Sequence, residues 1–239
     1  MSIGTTLVRS YFNFIYTPVY DFTVARLAPY RRLQQRCVDK FEFKDGDRVL
    51  CVGVGTGNEI SHILDINRNI NIVGVDYSEN ALKKARKKAL AWGKTIDILP
   101  MDVQHLEFAT GSFDKVLCIH VMDFVEDAGK AAAEAIRVLK ERGQFIITYP
   151  SDKENMSFGR EMLRDSLDNS DHAGKPMRIF SVLSKMLVGG IVYLPLLLRP
   201  KRKAYSHSTL ELMFSSLVKG DLQIEDYPVY IDFIVHGRK

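Results

Sequence analysis

The stretch RVLCVGVGTG, residues 48–57, constrains the fold more than any other: a short β-like run stops at Gly53, and glycine recurs at 55 and 57. A strand that ends in glycines presents bare backbone at its tip, where a ligand can approach without meeting a Cβ. Four further apolar runs follow, Ile70–Val75, Thr95–Leu99, Lys115–Ile119 and Gln144–Tyr149. Between them lie stripes of helical period. The stripe Ala81, Leu82, Ala85, Ala89 has Ser78 as N-cap and Gly93 as stop; the stripe Ala131, Ala132, Ala135, Ile136, Leu139 is closed by Gly143. Strand and helix alternating at this spacing predict an α/β fold, a doubly wound, mostly parallel sheet with helices on both faces.

Sheets of this kind bind ligands beyond the carboxyl ends of their strands. Gly53, Val54, Gly55, Thr56 and Gly57 form such an end, and Asp76 closes the second run at the distance where an acid meets the hydroxyls of a ribose. A nucleoside-bearing cofactor is expected. The dinucleotide fingerprint G-x-G-x-x-G needs a third glycine at 58 or 60, and these are Asn58 and Ile60. Gly93-Lys94-Thr95 lacks the earlier glycine of a phosphate loop, because that position is Lys88. Tyr149 and Lys153 have dehydrogenase spacing, but Pro150 lies between them at a strand end.

At 239 residues the chain can bury one substantial core, and no low-complexity linker divides it. Its formal net charge of +4 is mild and its basic residues are spread, which argues against a dedicated nucleic-acid protein. Cys37, Cys51 and Cys118 have no metal-ligand spacing, so no metal is expected; Cys51 and Cys118 fall in apolar runs that read as buried strands, as suits a reducing cytosol. The N-terminus lacks the charged and apolar regions of a signal peptide.

The G-x-G-x-G turn resembles motif I of the class I methyltransferases that use S-adenosylmethionine, and the likeness continues downstream. VGVDYSENALKKARKK is similar to their second strand and helix, LPMDVQHLEFATGSFDKVLCIHV to their third and fourth strands, and AIRVLKERGQFIITYP to their RVLKPGG segment. The aromatic YFNFIYTPVYDF upstream is similar to the opening of the small-molecule, quinone-pathway (type 11) group. The resemblance implies a Rossmann-like seven-stranded sheet whose last strand inserts antiparallel, with S-adenosylmethionine as cofactor. It further implies Asp76 on the ribose with Tyr77 beside it, Asp102 on the adenine amino group with Val103 beside it, and Ile119 and His120 lining the cofactor site. Two residues depart from the pattern. Cys51 stands where the family has an acid that helps hold the methionyl ammonium, and Glu141-Arg142-Gly143 replaces the Pro-Gly-Gly turn.

Methyl displacement requires alignment, exclusion of water and sometimes removal of a proton. His120 is the candidate base, with a hydrogen-bonded structural histidine as the other reading. Tyr16 and Tyr20, in the dense group Tyr11, Phe12, Phe14, Tyr16, Tyr20 and Phe22, are further catalytic candidates if that group closes as a lid over the site, with core packing as the other reading and Pro18 breaking the helix between them. The basic run at 83–88 reads as the solvated face of a helix.

The chain therefore divides into an N-terminal aromatic lid segment, 1–44; a cofactor-binding core, 45–150; an insertion that builds the acceptor site, 151–205; and a closing helix and last strands, 206–239. Met186 to Leu198 is apolar but too short to span a bilayer, and Arg199, Lys201, Arg202 and Lys203 follow it. Segment 186–203 thus reads either as a rest at a lipid interface or as a buried lid helix, and both favour an apolar acceptor. The expected protein is a cytoplasmic or membrane-peripheral methyltransferase acting on a lipid, quinone precursor or tetrapyrrole. A non-catalytic cofactor-binding scaffold and a nucleotide-dependent oxidoreductase are the alternatives. Oligomeric state is not legible in the sequence.

Overall fold

A computed structural model describes residues 17–21, 28–94, 96–152, 204–227 and 232–239. In chain order the elements are α1 (Thr17–Tyr20), α2 (Ala28–Asp39), β1 (Arg48–Val52), α3 (Asn58–Ile66), β2 (Asn71–Asp76), α4 (Glu79–Ala91) and β3 (Asp97–Pro100). They continue with β4 (Phe113–Cys118), α5 (Ala128–Val138), β5 (Leu139–Pro150), α6 (His207–Ser215), β6 (Leu222–Tyr227) and β7 (Asp232–Arg238). The strands form one seven-stranded sheet in the order β3-β2-β1-β4-β5-β7-β6. β1 to β5 are parallel, and β7 runs antiparallel to both β5 and β6.

Strand period explains the two cores. Leu50, Val52, Val73, Val75, Val116, Cys118, Phe145, Ile147 and Tyr149 face α5 and α6, packing on Ala131, Ala132, Ala135, Leu210 and Phe214. The alternate residues Val49, Cys51, Ile72, Leu117 and Ile146 face α2, α3 and α4, meeting Leu33, Cys37, Ile60, Ile63 and Leu82. Each fully buried Leu, Ile or Phe stabilises such a core by about 1.5–3 kcal/mol. Cys37, Cys51 and Cys118 are buried free thiols within these layers, and burial pushes all three up from the ordinary thiol range. Among the described residues no cluster of His, Cys, Asp or Glu has the makings of a metal site, and no helix is long and apolar enough to cross a membrane.

The local signals mostly act where the sequence places them. β1 spans Arg48–Val52 as expected, and the Ser78 side chain caps α4 by accepting from the Ala81 N–H. The stripe before β5 ends earlier than expected. α5 stops at Val138, and Leu139 is already the first residue of β5, paired with Phe113. Pairing resumes at Gln144 with Lys115, so residues 140–143 bulge from the strand. Arg142 sits there at φ 63°, and its N–H donates to the Lys239 carbonyl at 3.0 Å. Gly143 is therefore not a helix stop. A Cβ on it would lie 2.8 Å from Leu139 Cγ, so it serves the close return of the bulge. Tyr149, one of the dehydrogenase decoys, is wholly buried.

Residues 1–16 and 153–203 lie outside the described residues, and with them Tyr16, Lys153, the apolar and basic segment 186–203 and most of the expected insertion.

Candidate functional site

The tips of β1, β2, β3 and β4 converge at one end of the sheet because these neighbours are parallel and in register. At the tip of β1 the chain turns through Gly53 (φ 66°), Gly55 (φ 51°) and Gly57 (φ 76°), all in the left-handed region that side chains disfavour. The need is steric as well at Gly53, where a Cβ would lie 2.2 Å from Val121 Cγ2. The turn is pinned by Val54 N–H to Val75 O at 2.9 Å and by Gly57 N–H to Val54 O at 2.8 Å. It delivers the N-terminus of α3 to the site with no side-chain cap from Gly57, leaving the positive end of its dipole for an incoming acceptor.

Asp76 ends β2 directly beneath this turn. One carboxylate oxygen accepts from Gly55 N–H at 2.9 Å and the other from Ser78 N–H at 2.8 Å. Burial raises its pKa, while the hydrogen bonds from Ser78, Gly55 and Tyr77 N–H act the other way. Each oxygen keeps a lone pair for a further donor such as a ribose hydroxyl. Tyr77 follows, half-buried. Asp102 lies just past the tip of β3; it is exposed, and its carboxylate accepts from Gln104 N–H at 2.9 Å. Val103 and Ile119 are buried beside it and at the tip of β4 respectively. Bare backbone, an open helix N-terminus and a buried carboxylate fit a nucleoside ligand that also carries an acceptor or anionic group.

His120 follows β4 and takes φ 56°, a left-handed conformation held at a site rather than at a plain turn. Its N–H donates to Thr148 Oγ1 at 2.9 Å, and its Nε2 hydrogen-bonds Asp232 Oδ2. Asp232 is 5% exposed. The Tyr30 ring packs on His120 with centroids 5.1 Å apart, and Tyr30 OH accepts from Tyr20 OH at 2.7 Å. The structure thus brings Tyr20 and His120 into one group through Tyr30 and Asp232, neither of which the sequence singled out. Asp232 is missed because β7 runs antiparallel: its first residue, far along the chain, lies opposite Pro150 at the end of β5.

The basic run is only partly a solvated face. Lys83 and Lys87 are exposed, but Arg86 donates to the Ile98 carbonyl at 2.7 Å. Lys84 Nζ donates to the Thr17 carbonyl at 2.6 Å, and Lys88 Nζ to Asp21 at 2.9 Å and to Asn58 Oδ1 at 2.6 Å. Asp21 also accepts from Thr56 Oγ1 at 2.6 Å. Residues 17–21 cross α4, and partly buried lysines at the crossing find carbonyls and a carboxylate. This latch ties the aromatic segment to the glycine turn. Burial works against the Asp21 carboxylate, yet the Thr56 and Lys88 hydrogen bonds hold its pKa below the ordinary value. The latch therefore holds above the carboxylate range and is lost as pH falls through it. Asp21→Ala is expected to raise proteolytic cleavage near residues 17–30 severalfold while costing the whole fold about 1 kcal/mol. Limited proteolysis beside a melting curve checks this; unchanged cleavage would remove the latch.

Residues 50–147 match the family model for a methyltransferase domain. The chain is 32% identical over 132 residues to a demethylmenaquinone methyltransferase of Renibacterium salmoninarum, covering 54% of this chain and 53% of the relative. It is 32% identical over 164 residues to a ubiquinone/menaquinone biosynthesis C-methyltransferase of Geobacter sulfurreducens, covering 64% and 61%. The chain thus spans about half to three fifths of these relatives' length. Among solved structures, magnesium protoporphyrin IX methyltransferase from Synechocystis with S-adenosylmethionine bound superposes at a TM-score of 0.61 and 15% identity, covering 99% of this chain and 97% of that one. At that identity the likeness is one of fold.

Proposed function

We propose that this chain, whose residues 50–147 belong to the methyltransferase-domain family, moves a methyl group from S-adenosylmethionine to a hydrophobic small molecule, most readily a quinone precursor. The observation that carries the reading is the Asp76 carboxylate, buried at the tip of β2 and hydrogen-bonded to the glycine turn. The two quinone-pathway relatives support the acceptor class. The sequence of 186–203, apolar and then basic, supports a rest of that segment at a lipid interface.

When bound, S-adenosylmethionine supplies an electrophilic methyl carbon on a sulfonium. The protein's residues do the rest. The glycine turn and the N-terminus of α3 seat the donor, and Asp76 takes the ribose hydroxyls. Val103 and Ile119 wall the site against water, while Asp102 receives the adenine amino group. His120, held through Nε2 by its hydrogen bond with Asp232, is the group that takes up the proton an acceptor loses as it attacks. Tyr20 and Tyr30 close the aromatic side of that position, and Tyr16 extends it in the sequence.

Calorimetric titration tests the reading. S-adenosylmethionine and S-adenosylhomocysteine are expected to bind with Kd on the order of micromolar, about −8 kcal/mol, and NADH not at all. Product analysis with reduced demethylmenaquinone then reads transfer. Absence of binding by either adenosyl compound would leave a scaffold, and NADH binding in their place would leave an oxidoreductase.

A further inference from the structure

Among the described residues two buried acids have no part in the mechanism above, and one of them, Asp47, is paired with Lys115. The other, Glu59, is the second residue of α3, immediately after the glycine turn, and is 9% exposed. Its carboxylate accepts from its own backbone N–H, and among the described residues it makes no ion pair. The titratable groups near enough to act on it electrostatically are Cys51 on β1, Cys118 at the end of β4, Asp76 at the tip of β2 and Lys88 on α4. Lys88 is already engaged by Asp21 and Asn58. Cys51, 1% exposed and with its thiol pushed well up by burial, offers no negative charge.

We propose that Glu59 is the anionic partner of the donor's methionyl ammonium, replacing from the first turn of α3 the acid that Cys51 does not supply from β1. The inference rests on the cofactor reading and deepens it. Cys51 packs in the layer that holds Ile60 and Ile63 of α3, so the helix that carries Glu59 in its first turn lies on the side of the sheet that Cys51 faces. Burial pushes the Glu59 carboxyl up to about 8, against its own N–H and Lys88. In the free protein at neutral pH it therefore carries its proton. An arriving ammonium favours the carboxylate, so the O–H bond breaks, the proton leaves to solvent and the ion pair forms.

Two ligands separate the ends of the donor. S-adenosylhomocysteine carries the ammonium, whereas 5′-methylthioadenosine keeps the nucleoside and thioether without it. Titration of the full chain at neutral pH in buffers of different ionisation enthalpy is expected to show release of about one proton with the first ligand and none with the second. Glu59→Gln is expected to weaken the first about tenfold or more, abolish the proton release and leave the second unchanged. Cys51→Asp on the Glu59→Gln background is expected to return the affinity to within about threefold of the parent.

Folding supplies a control. A carboxyl raised in the folded state contributes stability below its ordinary range and loses it as pH rises through about 8. Glu59→Gln removes that loss, so its Tm at alkaline pH should equal or exceed the parent's. Equal weakening of both ligands, or unaltered affinity and proton release for S-adenosylhomocysteine, would overturn the assignment. If the parent chain binds neither ligand, the cofactor reading itself fails and this inference with it.

Discussion

Asp76→Ala is expected to abolish measurable binding of S-adenosylhomocysteine, a loss of more than about 100-fold or ~3 kcal/mol. The size follows from what the carboxylate does twice over. In the free protein its two oxygens accept from Gly55 and Ser78 N–H. Removal strands buried donors at about 1–3 kcal/mol each and frees a turn whose glycines all stand at positive φ. Under the proposed assignment the same oxygens take the ribose hydroxyls of the donor, and that charge-assisted contribution disappears as well. Asp76→Asn keeps an acceptor for one backbone N–H and should fall between the two. Calorimetry on all three proteins, with circular dichroism to verify folding, checks the order. Undiminished affinity in the alanine variant would remove the ribose assignment.

Replacing His120 should separate binding from transfer. His120→Ala is expected to leave S-adenosylhomocysteine affinity within about threefold and to lower methyl transfer to reduced demethylmenaquinone by about 10²–10⁴. His120→Asn tests the same point with less backbone cost, since asparagine tolerates the φ of 56° and does not take up a proton. Asp232 is a positioning residue in this scheme. Asp232→Asn should lower transfer less than loss of the imidazole does, and it should displace the pH–rate profile, because the neutral amide no longer favours the imidazolium. Transfer by His120→Ala within about tenfold of the parent, with an unmoved profile in Asp232→Asn, would make the pair a structural tie between β4 and β7.

The glycine turn and Asp76 were largely legible because they are local. Gly53, Gly55, Gly57 and Asp76 sit at strand tips whose positions follow from short apolar runs, and Ser78 marks the next helix by its cap. Of the group around His120, only His120 and Tyr20 were legible. Tyr30 and Asp232 join them through contacts across ten and 112 residues, and no spacing rule connects positions so far apart. The lysines at 84 and 88 misled for the opposite reason. Their helical period does describe an outer face, but the face is crossed by residues 17–21, a packing choice that leaves no trace in the period. Leu139 had the spacing of a helical stripe, yet pairing with Phe113 drew it into β5.

The amino-acid sequence by itself determined the alternation of strand and helix, the parallel sheet that this alternation demands, and the glycine and aspartate chemistry at its tips. Each rests on steric limits and on burial within a few residues of chain. Only the tertiary structure decided that Asp232 meets His120, that Asp21 and Lys88 fasten the N-terminal segment to the turn, and that Glu59 is buried at the start of α3 on the side of the sheet that Cys51 faces. Those meetings depend on how an antiparallel β7 and the helix crossings bring distant residues into one volume, where burial then sets which groups carry charge.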